Sequence, residues 1–121
     1  MKANEVRLNN YVIYDNKVYQ IDTIAEVFPT LNNDKFGIGV VDWNNIKPVP
    51  LTEEWLIKFR FVRINNFNRI LFKKDGFDFV ATKIKDAEGF HFRHMSLGIE
   101  VIHVHQLQNL FFAINQKELT L

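Results

Sequence analysis

The sequence contains no cysteine among its 121 residues. Disulfide bonds, thiol catalysis and thiolate metal sites are therefore excluded, and a reducing compartment suits the composition. The first ten residues, MKANEVRLNN, lack the apolar segment of a signal peptide. The longest clean apolar run, LFFAI at residues 110–114, is far shorter than the roughly 20 residues of a membrane span. We expect a cytoplasmic protein that does not enter a membrane.

Neither sign of charge dominates, because 15 Lys and Arg face 14 Asp and Glu, giving a net charge of +1. This balance does not require nucleic acid or an acidic partner. The sequence also lacks a P-loop, and Gly37-x-Gly39 has no third glycine for a dinucleotide fingerprint. No nucleophile elbow or local triad pattern occurs. We therefore predict no catalytic residues, no cofactor and a function that is not enzymatic.

What the chain has is apolar material, at 47% hydrophobic residues including twelve Phe. This is ample for a core without metal or disulfide staples. The first half is β-rich, with strands predicted at 11–14, 18–28 and 36–41, and with LNND at 31–34 as a loop. Gly37 and Gly39 permit sharp bending of the third strand. Short, bent strands in so few residues favour a small SH3-like barrel.

The segment KPVPLTEEWLIKFRF at 47–61 marks the clearest boundary. Its prolines favour an extended entry. Thr52 is a good N-cap residue, and Glu53 and Glu54 suit the first helical turn. A helix over about 53–59 follows. We therefore divide the chain into a β-rich subdomain at 1–48 and an α+β subdomain at 49–121, which we expect to form one compact unit.

The second part shows β patterns and then a helical one. Strands are predicted at 61–64, 67–74, 77–85, 90–95 and 99–104. Asn65-Asn66 is predicted to end the first, and Asp75-Gly76 to form a hairpin turn. From His105 the apolar period becomes 3.6, which predicts a helix over about 105–115. Its buried stripe would be Leu107, Leu110, Phe111 and Ile114. The fold class is α+β: a β-rich half, a short central helix, an antiparallel β-meander and a C-terminal amphipathic helix.

Three segments, MKANEVRLNNYV, PVPLTEEWLIKF and VHQLQNLFFAINQKEL, carry a resemblance to known proteins. They resemble a group of small uncharacterised proteins encoded in bacterial genomes, prophages and phages, over about 45 residues. The group has no assigned activity, so the resemblance implies none. Members often have Gly at the positions of Asn9 and Arg60. Asn tolerates a left-handed backbone well, whereas Arg is less comfortable at a helix C-terminus.

Four histidines lie within 15 positions, at 91, 94, 103 and 105, a number that a zinc site could use. Their spacing argues against it. His91 and His94 have opposite parity on one strand, and the helical pattern begins at His105, after the strand that carries His103. Glu100 would face away from His103. We predict no metal site, and we assign His105, Gln106 and Gln108 to a structural corner that hydrogen bonds hold.

Residues 58–74 contain six basic side chains, no acidic one and four interleaved Phe. The basic residues are Lys58, Arg60, Arg63, Arg69, Lys73 and Lys74, and the aromatic ones are Phe59, Phe61, Phe67 and Phe72. Cations beside aromatic rings are typical of proteins that bind single-stranded nucleic acid. The alternative is that the Phe residues form core and the cations are ordinary solubility charge.

The composition and the resemblance together favour a non-enzymatic protein-interaction or regulatory module of phage or mobile-element type. Its partner would be another protein or a second copy of the chain, and nucleic-acid binding is the alternative. Exposed aromatic residues would mark the interface. The candidates are Tyr11, Tyr14, Tyr19, Trp43 and Phe112.

Overall fold

The computed structural model describes residues 1–24, 29–32, 37–66, 69–83 and 90–121. The chain forms two compact units. The first comprises Met1–Val49 with His103–His105, and the second comprises Pro50–Ile102 with Gln106–Leu121. The division after Val49 lies one residue beyond the predicted boundary. The return of residues 103–105 to the first unit involves a backbone hydrogen bond of 2.8 Å from Val104 N–H to the Val49 carbonyl.

The first unit is an antiparallel five-stranded sheet. Its strands are β1 (Tyr11–Tyr14), β2 (Lys17–Thr23), β3 (Thr30–Asn32), β4 (Gly37–Val40) and β5 (Ile46–Pro48). They lie in the order β4-β3-β2-β1-β5, and the β2–β3 and β3–β4 registers shift at irregularities. Asp15 and Asn16, both with positive φ, form the two-residue turn between β1 and β2. The segment predicted as a loop at 31–34 instead contributes Leu31 and Asn32 to β3.

The core of this unit is aliphatic with two aromatic rings. It is made by Val6, Val12, Tyr19, Ile21, Leu31, Val41, Trp43 and Ile46. Tyr19 and Trp43 are therefore buried, contrary to their selection as exposed aromatics, because a small sheet needs large side chains to fill its interior. Tyr11, Tyr14 and Phe112 are half-buried. The strand order alone does not confirm an SH3-like barrel.

The second unit contains the other strands and both α-helices. Its elements are α1 (Glu53–Lys58), β6 (Val62–Asn66), β7 (Arg69–Lys74), β8 (Phe77–Lys83), β9 (Phe90–His94), β10 (Glu100–Val101) and α2 (Val104–Asn115), of which α2 belongs to this unit from Gln106 onward. The strands form an antiparallel meander in the order β10-β9-β8-β7-β6. The α+β class and the meander are confirmed.

The strand register sorts side chains of the second sheet onto two faces. Phe72, Phe79 and His94 lie side by side on the inner face, against which α2 packs. The Phe111 ring of α2 lies 5.4 Å from the Phe77 ring, measured between centroids. The neighbouring row, Ile64, Leu71, Val80, Arg93 and Glu100, lies on the outer face. Alternation of one apolar and one mixed face is typical of an antiparallel sheet.

Several predicted boundaries are corrected by tertiary contacts. Asn65 and Asn66 continue β6 rather than breaking it, because Ile70 and Arg69 of β7 pair with them. The last predicted strand, 99–104, is reduced to Glu100–Val101. In α2, Ile114 was predicted to belong to the buried stripe, but its side chain is 42% exposed.

The buried side of α2 is consequently rotated from the predicted stripe. It includes Val104, Leu107, Gln108 and Phe111. These residues keep the i, i+3, i+4, i+7 spacing, so the periodicity predicted the helix while the sheet decided which side it buries.

The C-terminus of α1 explains Arg60. Phe61 N–H donates to the Leu56 carbonyl at 3.0 Å and Arg60 N–H donates to the Ile57 carbonyl at 2.9 Å, the two bonds of a Schellman motif. Arg60 occupies its left-handed position with φ of 67°, and Asn9 has φ of 69°. The helix ends at Lys58, one residue before the predicted end.

Neither helix in the described ranges is long and apolar enough to cross a bilayer.

Replacing Arg60 with Gly should stabilise the protein by about 0.5–1 kcal/mol, since a left-handed L-residue costs about 1–2 kcal/mol and Gly returns part of this as unfolded-state entropy. Urea unfolding measures the difference. Arg60→Ala is the matched control and should show no such gain, because Ala also carries a Cβ. A lower unfolding midpoint for Arg60→Gly than for Arg60→Ala would contradict the assignment.

Candidate functional site

The turn between β9 and β10 is held by a dense set of backbone hydrogen bonds. His94 N–H donates to the Ile99 carbonyl at 2.9 Å, and Gly98 N–H donates to the His94 carbonyl at 2.8 Å. Met95 N–H donates to the Asp78 carbonyl of β8 at 2.9 Å. Gly98 has φ of 67°, a conformation that suits glycine. The turn is therefore tied both to itself and to the adjacent strand.

Two side chains complete this turn from β9. His94 Nδ1 lies 3.1 Å from Leu97 N and accepts its proton, while Arg93 Nη1 donates to the Gly98 carbonyl at 2.9 Å. Because Nδ1 accepts, the proton of a neutral His94 ring is on Nε2. Nε2 is buried and has no hydrogen-bond partner among the described residues.

The His94 ring itself lies in the aromatic core. Its centroid is 4.6 Å from that of Phe77 and 6.3 Å from that of Phe79, in edge-on arrangements. Packing on two rings and acceptance of the Leu97 proton give His94 a structural role, which is to anchor the turn to the sheet.

This anchored turn carries exposed apolar side chains. We use the name apolar turn for Met95, Leu97 and Ile99 of this turn together with Ile102, which follows β10. Each of the four side chains is between 41% and 56% exposed. The Ile102 backbone is fixed as well, since its N–H donates to Gln106 Oε1 at 3.1 Å and its carbonyl accepts from Leu51 N–H at 2.8 Å. Apolar side chains that are exposed yet held by a rigid backbone are characteristic of binding surfaces.

Charged groups flank the apolar turn. His91 Nδ1 lies 2.6 Å from Glu100 Oε1, so the carboxylate pairs across two strands with His91. The exposed Arg93 lies on the same face as Glu100. Exposed apolar side chains and charged groups therefore occur together in this region, as they do in protein interfaces.

The predicted strands at 90–95 and 99–104 leave residues 96–98 as their connection, but the sequence analysis did not identify the exposed apolar side chains there. The available signal was Leu97 between Ser96 and Gly98, which places a large apolar residue at the tip of a turn, where polar residues dominate.

The six basic residues of 58–74 do not form one patch. Three of them contact groups of α1 or its C-terminus. Lys58 Nζ lies 5.2 Å from the centroid of the Trp55 ring, Arg63 pairs with Glu53, and Lys74 Nζ donates to the Phe59 carbonyl at 2.6 Å. Burial lowers the pKa of Lys74, and Arg60 lowers it further while Asp75 opposes the shift.

The remaining basic residues are dispersed. Arg60 ends α1, whereas Arg69 and Lys73 lie on the outer face of the sheet. Lys73 Nζ is 3.8 Å from Asp78 Oδ2, and Arg69 is exposed.

The aromatic residues of the same segment are not available for base stacking. Phe59, Phe61 and Phe72 are buried. Phe61 contacts Phe77, Phe79 and Phe111, with ring centroids 5.9–6.2 Å apart. Phe67 lies outside the described residues. The structure therefore assigns the three described rings to the core.

The four histidines fall into two pairs with different arrangements. His91 is exposed on the outer face and His94 is buried on the inner one. The rings of His103 and His105 stack at 5.6 Å between centroids, with His103 outside α2 and His105 within it. In the described part of the chain, no three His, Cys, Asp or Glu side chains are grouped so that they could hold a metal ion.

The corner residues contribute unequally. Gln106 Oε1 accepts a hydrogen bond from Ile102 N–H, and the Gln108 side chain is buried. His105 is also buried, and its Nδ1 has no hydrogen-bond partner among the described residues. Desolvation lowers the pKa of His105, His103 lowers it further, and Glu5 opposes the shift.

A polar groove of about 510 Å³ lies in the first unit. It is lined by Ile13, Tyr14, Asp15, Asn16, Asn44, Asn45 and Lys47. Its ionisable side chains are the Tyr14 hydroxyl, the Asp15 carboxylate and the Lys47 amine.

The lowered pKa of His105 predicts a pH dependence of stability. The folded protein favours the neutral ring, whereas the unfolded chain takes up a proton at the ordinary pKa of 6.5. The unfolding free energy should therefore fall as the pH drops below 6.5. The fall ends once the pH is below the lowered pKa that His105 has in the folded protein. Urea unfolding between pH 7.5 and 5.0 measures this, and His105→Gln should flatten the dependence. An unchanged dependence in that variant would refute the role of His105.

Comparison with known proteins adds no family assignment. No protein-family model, curated protein or solved structure matches this chain.

Proposed function

We propose that this protein is a non-enzymatic protein-interaction module whose principal contact is the apolar turn. The observation that carries the proposal is a backbone fixed by at least five hydrogen bonds, two of them made by His94 and Arg93 side chains, beneath exposed Leu97, Met95 and Ile99. Large apolar side chains at a turn add nothing to the core, and their exposure disfavours solubility.

The rigidity of the turn favours binding energetically. Ordering a flexible loop on association costs backbone entropy, in addition to roughly 0.5–1.5 kcal/mol for each immobilised side chain rich in rotamers. In this turn the backbone is already ordered when the protein folds, so binding does not carry that part of the cost. Complete burial of an apolar side chain yields about 1.5–3 kcal/mol relative to full exposure, so half-exposed Leu97, Ile99 and Ile102 could each contribute about half of that.

The shape and charge of the surface define the partner. A turn projects from the sheet, so the complementary surface is concave and apolar. Arg93 at its edge is best met by a carboxylate on the rim of that pocket, since guanidinium and carboxylate groups pair in a bidentate manner. We therefore infer a protein partner with an apolar pocket and an acidic rim.

The strand order of the first unit bears on the prediction of an SH3-like barrel. β1 lies between β2 and β5, and a 3₁₀ turn at Trp43–Asn45 precedes β5. SH3-like barrels share this order, which supports our inference that the unit belongs to that architecture. The cytoplasmic location and the phage or mobile-element association rest on the sequence and stay predictions.

Leu97→Asp should abolish partner binding without unfolding the protein, because Leu97 is 54% exposed. Tagged protein expressed in the cells that encode it should retain a stoichiometric partner, measured by quantitative affinity purification. Ile57→Asp is the matched control, since Ile57 of the same unit is 50% exposed on α1. Binding of the partner by wild type and Ile57→Asp but not by Leu97→Asp is expected; equal retention by all three sinks the proposal.

Nucleic-acid binding is a second candidate, favoured by Arg69, Lys73 and Arg93 on the outer face. If it occurs, binding of a mixed single-stranded oligonucleotide should weaken with salt, and Arg69→Ala should reduce the slope of log K against log salt by about 0.7. Arg63→Ala should leave the slope unchanged, because Arg63 pairs with Glu53 on the other face. Absence of binding at low salt would eliminate this candidate.

A further inference from the structure

β6 is an open edge of the second sheet. It ends the strand order β10-β9-β8-β7-β6, so among the described strands only β7 pairs with it. Its sequence, VRINN, contains no proline, and the side chains of residues 62–65 are exposed. Such an edge presents backbone N–H and C=O groups to another strand.

Two other sheet edges, β10 and β5, are poorer templates. β10 at the opposite edge contains only Glu100 and Val101. β5, an edge of the first sheet, has three residues and ends at Pro48. Short strands and prolines are the means by which proteins block edge-to-edge pairing. β6 has five residues and lacks both devices.

We propose that β6 pairs antiparallel with β6 of a second copy of this chain, about a two-fold axis that passes at Ile64. The outer-face row Ile64, Leu71 and Val80 would then continue across the axis into the same row of the second copy. Ile64 is 37% exposed at the end of this row and would be covered. A surface that complements itself about a two-fold axis is the basis of an isologous dimer.

Charge and side-chain alternation select this register. With the axis at Ile64, Arg63 stands opposite Asn65 and Val62 opposite Asn66, so no like charges meet. An axis at Arg63 would oppose two guanidinium groups, which destabilises a pair. An axis half a residue away on either side would place residues of the inner face against residues of the outer face. The register at Ile64 avoids both conflicts, and, unlike a register centred at Asn65, it pairs all five residues of β6 with β6 of the second copy.

The absence of cysteine provides a direct test of register. In the proposed dimer, Ile64 faces its own copy with Cα atoms about 4.5–5.5 Å apart, within reach of a disulfide. Val62 lies about 13 Å from its own copy, given about 3.3 Å per residue over four residues. Oxidation should therefore cross-link Ile64→Cys into a covalent dimer while Val62→Cys, which is more exposed at 61%, stays largely uncross-linked. Equal cross-linking of both variants, or none at Ile64→Cys, would overturn the register.

A charge exchange tests whether the same contact holds the dimer. Sedimentation equilibrium should show a dimer for wild type, and Ile64→Lys should raise its dissociation constant about tenfold or more, since two ammonium groups would meet at the axis. Val62→Lys should stay dimeric. Ile64→Asp alone should also dissociate, but an equimolar mixture of Ile64→Lys and Ile64→Asp should restore the dimer. Circular dichroism confirms that each variant is folded.

The outcomes separate this inference from the proposed function. A wild-type chain that is monomeric at all accessible concentrations, or a mixture that does not restore the dimer, refutes self-pairing. Capture of an unrelated extended peptide at β6 in place of a second copy would also refute it. Leu97→Asp should remain dimeric, because the apolar turn lies at the other end of the strand order. Loss of the dimer in that variant would contradict the assignment of dimerisation to β6.

Discussion

The packing of the Phe77 ring is the contact on which the second unit depends. Phe77 is fully buried and contacts the rings of Phe61, Phe79, His94 and Phe111, with centroids 4.6–6.2 Å apart. This single ring joins four parts of the unit in one core. They are the residue before β6, strand β8, the end of β9 and helix α2. Edge-on aromatic pairs contribute about 0.5–1.5 kcal/mol beyond their buried area, so a cluster of this kind also fixes geometry.

The properties of the surface follow from that core. α2 packs on the inner face, whereas Ile64 of the outer row and the apolar residues of the β9–β10 turn are exposed. His94 connects the two regions, since its ring packs on Phe77 while its Nδ1 accepts the Leu97 proton. His94 therefore holds the exposed turn in a fixed position relative to the aromatic core. The basic segment is explained by the same packing, because its Phe residues belong to the core and several of its cations secure α1.

Local chemistry predicted much of the fold. Asp75-Gly76 specified the β7–β8 turn through its positive φ values, and Thr52 capped α1, accepting from Trp55 N–H at 3.4 Å. The histidine parity also predicted correctly that His91 and His94 would separate. Asn65-Asn66 misled because Asn suits a turn and an edge strand alike, and only pairing with β7 decides between them. Apart from Leu97, which lies between Ser96 and Gly98, the residues of the apolar turn carry no signal in the sequence, because their exposure depends on what packs above them.

By itself, the sequence determined the α+β class, the hairpin at Asp75-Gly76 and the existence of α2, because each depends on local propensity or periodicity. It also excluded thiol chemistry. Only the tertiary structure decided that α2 buries Gln108 rather than Ile114, that the cations of 58–74 divide between two faces, and that β6 remains at an edge. The physical reason is that burial and strand pairing are relations between distant segments, whereas propensity is a property of neighbouring residues.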